Sequence, residues 1–222
     1  NAGERGAIFN FNTEYLSHVQ DEHGVTATFL NHITKTEFSL RAKYLVGMDG
    51  ARSKVLEHLN LPLEGVMARA GTVYVTFKAD LSKYVQHRPA ILQWIVNPEA
   101  SFGDLGMGLL RAITPWNEWI MGWGFDISKG EPQVTEEQVR ARLDAFVGEH
   151  VENVEIQKLS YWYVNQTWAT EYSKGRVFCG GDAVHRHPPS SGLGSNTCMQ
   201  DAFNLGWKLA YALKGWAAPT LL

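Results

Sequence analysis

The residues best suited to chemistry lie in one segment, CGGDAVHRHPPSSGLGSN, at positions 179–196. This segment combines the carboxylate of Asp182 with two imidazoles, two adjacent prolines and several glycines. A carboxylate accepts hydrogen bonds from sugar-like hydroxyls. Adjacent prolines fix φ and remove N–H donors, so they stiffen the backbone before any ligand arrives. The composition of the segment therefore favours a pre-shaped loop that binds a ligand.

A strand and a helix are predicted on either side of this loop. A short apolar run precedes Asp182 and predicts a buried strand, whose carboxyl end is where ligands bind in open α/β sheets. Apolar residues at three- and four-residue spacing predict a helix over 195–214. Gly192 and Gly194 let a ligand approach the backbone closely. The free N–H groups of residues 195–197 are expected at the positive end of the helix dipole, where they stabilise negative charge.

The first part of the chain is predicted to be rich in strands. Period-two alternation predicts strands over 25–31 and 36–42, and Gly24 in the turn before the first of them tolerates a positive φ. A continuous apolar run at 44–46 predicts a strand buried on both faces. A short helical stretch is expected to follow at 52–59.

The middle of the chain is predicted to form an antiparallel sheet and one helix. Runs of β-branched and aromatic residues, separated by turn residues, predict several strands. These strands span 71–77, 90–96, 105–113 and 116–125. Residues 135–148 are predicted to be helical, with Thr135 and Gln138 as a capping box. The tryptophans of the strands either belong to the core, which is the commoner role, or line a ligand pocket.

Composition excludes several classes of partner. The chain has 222 residues, is 45% hydrophobic and carries a formal charge of −3, which argues against nucleic acid or an anionic membrane as its partner. Its apolar runs are too short to span a bilayer. Cys179 and Cys198 form no disulfide framework, and so few cysteines suggest a reducing compartment such as the cytoplasm.

Residues 181–209 resemble the second flavin-binding motif of the FAD-dependent aromatic hydroxylases, which share the para-hydroxybenzoate hydroxylase fold. The pattern begins with a Gly-Asp pair, continues through the prolines and glycines, and ends in a helix that carries Asp-Ala-x-Asn-Leu-x-Trp-Lys-Leu. The matching residues are Gly181, Asp182, Ala183, His185, Pro188, Pro189, Gly192, Gly194, Asn196, Asp201, Ala202, Asn204, Leu205, Trp207, Lys208 and Leu209. A pattern of this length is far more specific than a lone glycine fingerprint.

A second motif, YLVGMDGARSKV at positions 44–55, resembles the Asp-Gly motif of the same family. Its matching residues are Gly47, Asp49, Gly50, Arg52 and Ser53. The two motifs occur in the expected order, so the resemblance covers almost the whole chain. It implies an α/β fold in which 1–65 and 166–222 form a Rossmann-like FAD-binding domain. An antiparallel-sheet substrate domain of α+β type is expected to be inserted at 66–165.

The sequence of residues 185–196 is most similar to that of the phenol hydroxylase branch of the family, which includes enzymes of 2,4-dichlorophenol degradation. The resemblance implies a flavoprotein monooxygenase that uses FAD, NADPH and O2 to hydroxylate a phenol, or a chlorophenol, ortho to its hydroxyl. The implied FAD-binding residues are Asp49, Gly50, Arg52, Gly181, Asp182, Pro188, Pro189, Gly192, Gly194, Ser195 and Asn196. Among them, Asp182 is expected to hold the ribitol chain, and the amides of residues 194–196 to stabilise negative charge on the flavin ring.

The substrate-binding and catalytic residues are less well defined by the resemblance. Trp94, Met107 and Trp123 are candidates for the aromatic pocket. No residue is assigned as the base that ionises the phenol. His187 is a candidate for this base, and its alternative role is to fix the conformation of the loop.

The family's N-terminal strand–Gly-x-Gly-x-x-Gly–helix unit is missing from these 222 residues. The complete protein is therefore expected to begin before Asn1. The resemblance also implies a further C-terminal domain, and the complete protein is expected to form a homo-oligomer. One alternative is that this chain by itself is an inactive partial product. A second alternative is a metal-dependent phosphoesterase that uses Asp182, His185 and His187, although further ligands of the required kind are missing.

Overall fold

A computed structural model describes residues 1–97, 107–189 and 192–222, with the side chain of Met107 left out. The chain divides into two compact units. The first unit consists of Asn1–Gly65 and Gln166–Leu222, and the second consists of Val66–Asn165. The assignment of these units to cofactor and substrate stays a prediction.

Among the described residues, strands outnumber helices in both units. The strands are β1 Thr13–Gln20, β2 Val25–Asn31, β3 Thr36–Ala42, β4 Leu45–Gly47, β5 Leu63–Lys78, β6 Leu92–Val96, β7 Met107–Thr114, β8 Glu118–Phe125, β9 Glu155–Ala169, β10 Ser173–Lys174, β11 Val177–Cys179 and β12 His185–Arg186. The α-helices are α1 Lys54–Leu59, α2 Ser82–Val85, α3 Glu136–Val147 and α4 Leu193–Leu213. Short 3₁₀ turns include Gly181–Ala183, which directly precedes β12.

The first unit contains two small sheets. One is an antiparallel sheet in the order β1-β2-β3, and the other has the order β10-β11-β4. In the second sheet β11 lies parallel to β4, with Val177 opposite Leu45 and Cys179 opposite Gly47. Side chains from both sheets and from α1 form one hydrophobic cluster, which includes Val25, Val55 and Val177. Because these strands are parallel, their carboxyl ends lie at the same edge of the sheet.

The second unit is built on the predicted antiparallel sheet, in which the order is β9-β5-β8-β7-β6. Along β5, residues 71–77 alternate between buried and half-buried, as expected for a strand with one face in the core. The largest fully buried side chains of its core come from this sheet, from α3 and from the residue before α2. They are Phe77, Trp119 and Met121 of the sheet, Leu143 of α3, and Leu81.

Helix α3 confirms the prediction made from local signals. Thr135 is its N-cap, and its hydroxyl accepts a hydrogen bond from the Gln138 amide while the Gln138 side chain accepts one from the Thr135 amide. Gly148 ends the helix in the left-handed conformation, with φ 93°. Two acidic residues in the first turn add a favourable interaction with the helix dipole.

One prediction for the first unit was wrong, and one residue proved important for a reason other than the expected one. Strand β4 is not buried on both faces, because Val46 is exposed while Gly47 is buried. Gly24 does not adopt a positive φ. It is required for another reason, since a Cβ at this position would lie 2.6 Å from the carbonyl oxygen of Ala42 on the paired strand.

Helix α4 also differs from its prediction. It begins at Leu193, two residues before the predicted start, with Gly192 as its N-cap at φ 63°. Its apolar residues recur at helical spacing, yet no residue of this helix is buried. Phe203, for example, is 79% exposed. The periodicity found the helix but carried no information about what covers it.

Candidate functional site

The loop after β4 is organised by Asp49. Its carboxylate accepts a hydrogen bond from the Ser53 hydroxyl (2.5 Å) and another from the Val55 amide (3.2 Å). Ser53 in turn caps α1 by accepting a hydrogen bond from the Leu56 amide. Asp49 therefore ties the carboxyl end of β4 to the start of α1. Gly50, with φ 80°, lies on the loop between them.

The loop after β11 presents the second predicted carboxylate. Strand β11 is fully buried, and Gly181 then turns the chain with φ 62°, so that the side chain of Asp182 is exposed beyond the end of the strand. The Cys198 thiol on α4 donates a hydrogen bond to Asp182 Oδ1 (3.4 Å). Partial burial and this bond raise the pKa of Cys198, so the thiol stays protonated and keeps donating.

Sequence reasoning missed the role of Asp201, on the third turn of α4. Asp201 Oδ2 accepts hydrogen bonds from the Gly181 amide (2.8 Å) and from His185 Nε2 (2.6 Å). One signal was present, because Asp201 is the single charged residue between Leu193 and Trp207. A lone carboxylate in an otherwise uncharged stretch of helix points to a specific partner.

The two histidines of the segment pack against each other. The rings of His185 and His187 lie 5.0 Å apart between centroids. His185 Nδ1 and His187 Nε2 are both buried and have no hydrogen-bond partner among the described residues. His187 is half-buried rather than on an exposed loop. Its role as the catalytic base stays a prediction.

The start of α4 is the third part of the candidate site. Since the helix begins at Leu193, the amides without an intrahelical acceptor are those of residues 193–195, whereas the prediction placed them at 195–197. Among the described residues, no side chain caps this end of the helix. The Asn196 side chain instead donates to the carbonyl of Gly192 (2.8 Å). Pro189 accepts a hydrogen bond from the Gly192 amide (3.2 Å), which ties the proline pair to the helix start.

The candidates for the aromatic pocket lie in the second unit. Trp123 is 5% exposed and belongs to the core, with the guanidinium of Arg142 4.5 Å from its ring centroid. Trp94 is 60% exposed on β6. The side chain of Met107 lies outside the described residues. Their contact with a substrate stays a prediction.

The structure gives no support to the phosphoesterase alternative. His185 pairs with Asp201 rather than with Asp182. Across residues 1–97, 107–189 and 192–222, no cluster of three or more His, Cys, Asp or Glu side chains is placed to hold a metal ion. Over the same ranges, no helix is both long enough and apolar enough to cross a membrane.

Comparison with known families identifies the fold to which these loops belong. The family described as "FAD binding domain" matches residues 1–222, which is the whole chain. The chain belongs to this family. The resemblance noted for the two motifs is thereby confirmed, and the loops after β4 and β11 are parts of an FAD-binding fold.

Several curated relatives of this FAD-binding chain are monooxygenases. It is 49% identical over 221 residues to a 2,4-dichlorophenol 6-monooxygenase of Delftia acidovorans, covering 100% of this chain and 38% of the relative. It is 46% identical to an enzyme of the same name from Cupriavidus pinatubonensis, covering 98% and 36%. It is 45% identical to a phenol 2-monooxygenase of a Pseudomonas species, covering 100% and 35%. The chain thus spans less than half the length of these relatives.

Solved structures agree with this assignment. The flavin-dependent monooxygenase PieE, in complex with FAD and substrate, matches 93% of the chain with a TM-score of 0.79 and 40% identity, over 35% of its own length. Aklavinone-11 hydroxylase, in complex with FAD and aklavinone, matches 98% of the chain with a TM-score of 0.85 and 30% identity, over 40% of its own length. The predicted fold class, a mixed α/β fold with an antiparallel region, is confirmed.

The residues of the first unit fit FAD. The carboxylate of Asp182 is exposed at the end of a buried strand, where it is able to accept hydrogen bonds from ribitol hydroxyls. A Cβ at Gly192 or at Gly194 would meet no atom within 4 Å, so the space beside the helix start is open. The uncapped amides there favour a negatively charged ligand group.

Proposed function

We propose that this chain is the FAD-binding and substrate-binding part of a flavoprotein monooxygenase that hydroxylates a phenol, or a chlorophenol, ortho to its hydroxyl. The proposed co-substrates are NADPH and O2. The support comes from the monooxygenase relatives at 45–49% identity over almost the whole chain. When bound, FAD supplies the redox chemistry, since it takes up electrons from NADPH and activates O2.

One observation carries the proposal. A buried strand delivers the exposed carboxylate of Asp182 to helix α4, where Cys198 donates to it, and the same helix starts after Gly192 with no side-chain cap among the described residues. A hydroxyl acceptor and the amides of a helix start, both presented on α4 or next to it, are proposed to match the ribitol chain and the electron-rich edge of a flavin. The stiff Pro188–Pro189 pair is proposed to form a wall beside the flavin ring.

The individual residues have distinct proposed roles. Asp182 accepts hydrogen bonds from the ribitol chain, and the amides of residues 193–195 stabilise negative charge on the ring. Arg52, which is exposed, and Gly50 are proposed to face the cofactor on the side of the β4 loop. Asp49 acts mainly by holding this loop against α1.

The two units are proposed to divide the work. The first unit binds FAD, and Val66–Asn165 binds the phenol with Trp94, Met107 and Trp123 in its pocket. We propose a cytoplasmic location, because both cysteines are free thiols. A homo-oligomer is proposed for the complete protein.

The decisive experiment measures FAD binding and turnover in the natural full-length protein. Asp182→Asn keeps the shape of the side chain but removes its charge, so FAD binding is expected to weaken about tenfold. Asp126→Asn is a control, since Asp126 is also an exposed carboxylate that accepts hydrogen bonds from a backbone amide and a hydroxyl. Phenol-dependent NADPH oxidation and O2 uptake test the reaction. A wild-type protein that binds no FAD would overturn the proposal.

A second candidate function concerns the 222-residue chain alone. It contains no Gly-x-Gly-x-x-Gly unit to bind the ADP half of FAD. We therefore expect it to bind FAD weakly and to catalyse no turnover. Phenol-dependent NADPH oxidation by the isolated chain would show that it is a complete catalyst.

A further inference from the structure

The two hydrogen bonds of Asp201 bracket Asp182 in the chain. The Gly181 amide immediately before Asp182 donates to Asp201 Oδ2, and so does His185 Nε2, three residues after it. Both donors converge on a single oxygen atom at 2.8 and 2.6 Å. Asp201 thus holds both ends of the short turn that presents the exposed carboxylate.

The turn is held between two regular elements. Asp201 lies within the 21-residue helix α4, and His185 lies in β12, where its backbone pairs with Trp168 of β9. The Asp201 carboxylate joins these two elements at the point where the chain leaves β11. Residues on a helix and a strand position a site more precisely than residues on a free loop.

The burial and charge of these groups strengthen the contacts of Asp201. The side chain of His185 is 5% exposed and that of Asp201 is 22% exposed. An ionised carboxylate only accepts hydrogen bonds, so the bond assigns the imidazole proton to His185 Nε2. Hydrogen bonds to a charged partner are about twice as strong as neutral ones. The Gly181 amide is also part-buried, and leaving it without an acceptor is costly.

The backbone of the turn needs such a restraint. Gly181 adopts φ 62°, a conformation that glycine reaches but does not strongly prefer over others. A flexible glycine directly before Asp182 would let the carboxylate swing, and ordering it on binding would cost affinity. A carboxylate that holds Gly181 in place removes this cost before the cofactor arrives.

We propose that Asp201 and His185 are positioning residues for FAD: together they fix the Gly181–Ala183 turn so that Asp182 is oriented towards the ribitol chain before binding. The inference rests on the proposed FAD site. Neither residue touches the cofactor in this scheme, and both act through Asp182. Asp201 belongs to the helix of the motif, and the contact gives it a role of its own.

A double-mutant cycle in the natural full-length protein tests this inference. FAD is removed, and its dissociation constant is measured by flavin fluorescence for wild type, Asp201→Asn, Asp182→Asn and the double variant. Asp201→Asn loses the charge from both bonds, so binding is expected to weaken about fivefold to tenfold. In the Asp182→Asn background the same change is expected to have almost no further effect, because residues that act as one unit are not additive.

A structural role alone predicts a different result. If Asp201 only stabilises the fold, Asp201→Asn weakens FAD binding by the same factor in both backgrounds, and the inference is overturned. An unchanged dissociation constant for Asp201→Asn also overturns it while the proposed function stands. If the wild-type protein binds no FAD, the proposed function and this inference fall together.

Asp144→Asn is a control for the loss of charge, and two variants of His185 test the hydrogen bond that it donates to Asp201. Asp144 in the second unit makes the same two kinds of contact, accepting from the Val151 amide (2.9 Å) and pairing with His150 Nδ1 (2.8 Å). Asp144→Asn is therefore expected to leave FAD binding unchanged. His185→Gln retains a donor towards Asp201, whereas His185→Leu does not, so the inference expects the glutamine variant to bind FAD more tightly than the leucine variant. Equal binding by these two variants contradicts a positioning role for His185.

Discussion

A cluster of one tyrosine and two histidines lies on the first unit. The Tyr15 hydroxyl lies 2.6 Å from His18 Nδ1 and 2.9 Å from His58 Nδ1. Burial, with smaller contributions from Asp49 and Cys179, raises the pKa of Tyr15 to about 12. Burial and the neighbouring charge of His58 lower the pKa of His18 below 6.5. The cluster therefore favours a neutral His18.

This shift in His18 predicts how stability depends on pH. Because the folded state binds its proton less readily than the unfolded state, the contribution of His18 is fully present above about pH 6.5 and is lost as pH falls through the lowered folded pKa. The free energy of unfolding, measured by urea denaturation, is expected to decrease less on acidification in His18→Asn than in wild type. His23→Asn, in an exposed turn, is the control. Parallel pH profiles for wild type and His18→Asn would rule out this account.

The two cysteines are predicted to be poorly reactive. Burial, with the nearby charge of Asp49, raises the pKa of Cys179 to about 11, and burial with the hydrogen bond to Asp182 raises that of Cys198. The thiolate is the reactive form, so both thiols are expected to react slowly with iodoacetamide near neutral pH in the native protein. In denaturant both are expected to react quickly. Mass spectrometry of the alkylated protein checks this, and rapid native labelling of Cys179 would contradict it.

At the scale of elements, three glycines at the candidate site differ in their φ angle and in the space around them. Gly181 has φ 62°, and a Cβ there would lie 3.3 Å from Cys198 Sγ. Gly192 has φ 63° with open space around it, and Gly194 has neither a positive φ nor a close neighbour. The three positions form a graded series within one loop and helix start.

The series predicts a graded loss of stability on substitution by alanine. Gly192→Ala is expected to cost about 1–2 kcal/mol, because a left-handed conformation is unfavourable for a residue with a Cβ. Gly181→Ala is expected to cost more, since the tight contact with Cys198 is added. Gly194→Ala is expected to stabilise by roughly 0.5 kcal/mol through the lower conformational entropy of its unfolded chain. Thermal unfolding of the three variants measures the order, and a Gly194→Ala variant that is the least stable would overturn it.

An element was predicted well when the residues that determine it lie close together in the sequence. Helix α3 was predicted with its cap and its end because Thr135, Gln138 and Gly148 act within a few residues of one another. Burial was predicted less well, because it depends on partners distant in sequence. The run at 44–46 was predicted to be a strand buried on both faces, because its local sequence does not show that Val46 is exposed. Gly24 was required by Ala42 on a paired strand, a contact that its local turn did not reveal.

The site showed the same division. Asp182 was found because its position after an apolar strand is a local signal. Asp201 was recognised as a motif residue, but its role was missed because its partners Gly181 and His185 lie 20 and 16 residues away. The fold brings them together only when α4 returns beside the end of β11. Non-local hydrogen bonds of this kind require the structure.

At the scale of the whole molecule, α4 presents an apolar stripe on the surface of the first unit. Four of its exposed apolar residues recur at every fourth position. They are Met199, Phe203, Trp207 and Tyr211. The spacing places all four on one face of the helix. Contiguous exposed apolar surface of this kind promotes association.

The stripe predicts the behaviour of the 222-residue chain in solution. It is expected to bind the dye ANS and to sediment as concentration-dependent oligomers. Phe203→Lys, at the middle of the stripe, is expected to lower both signals because it breaks the apolar surface with a charge. Ile33→Lys is the control, since Ile33 is 73% exposed outside this helix. Equal ANS fluorescence for wild type and Phe203→Lys would contradict the prediction.

The parallel pairing of β4 with β11 has a consequence for biosynthesis. These strands meet although more than a hundred residues separate them in the chain, which gives the first unit a high contact order. The second unit is one continuous stretch, so it is fully translated before the ribosome reaches β11. It is therefore free to fold first. In the native arrangement the Gly181–Ala183 turn is held by Asp201, so a nascent chain completes this turn only after α4 has been translated.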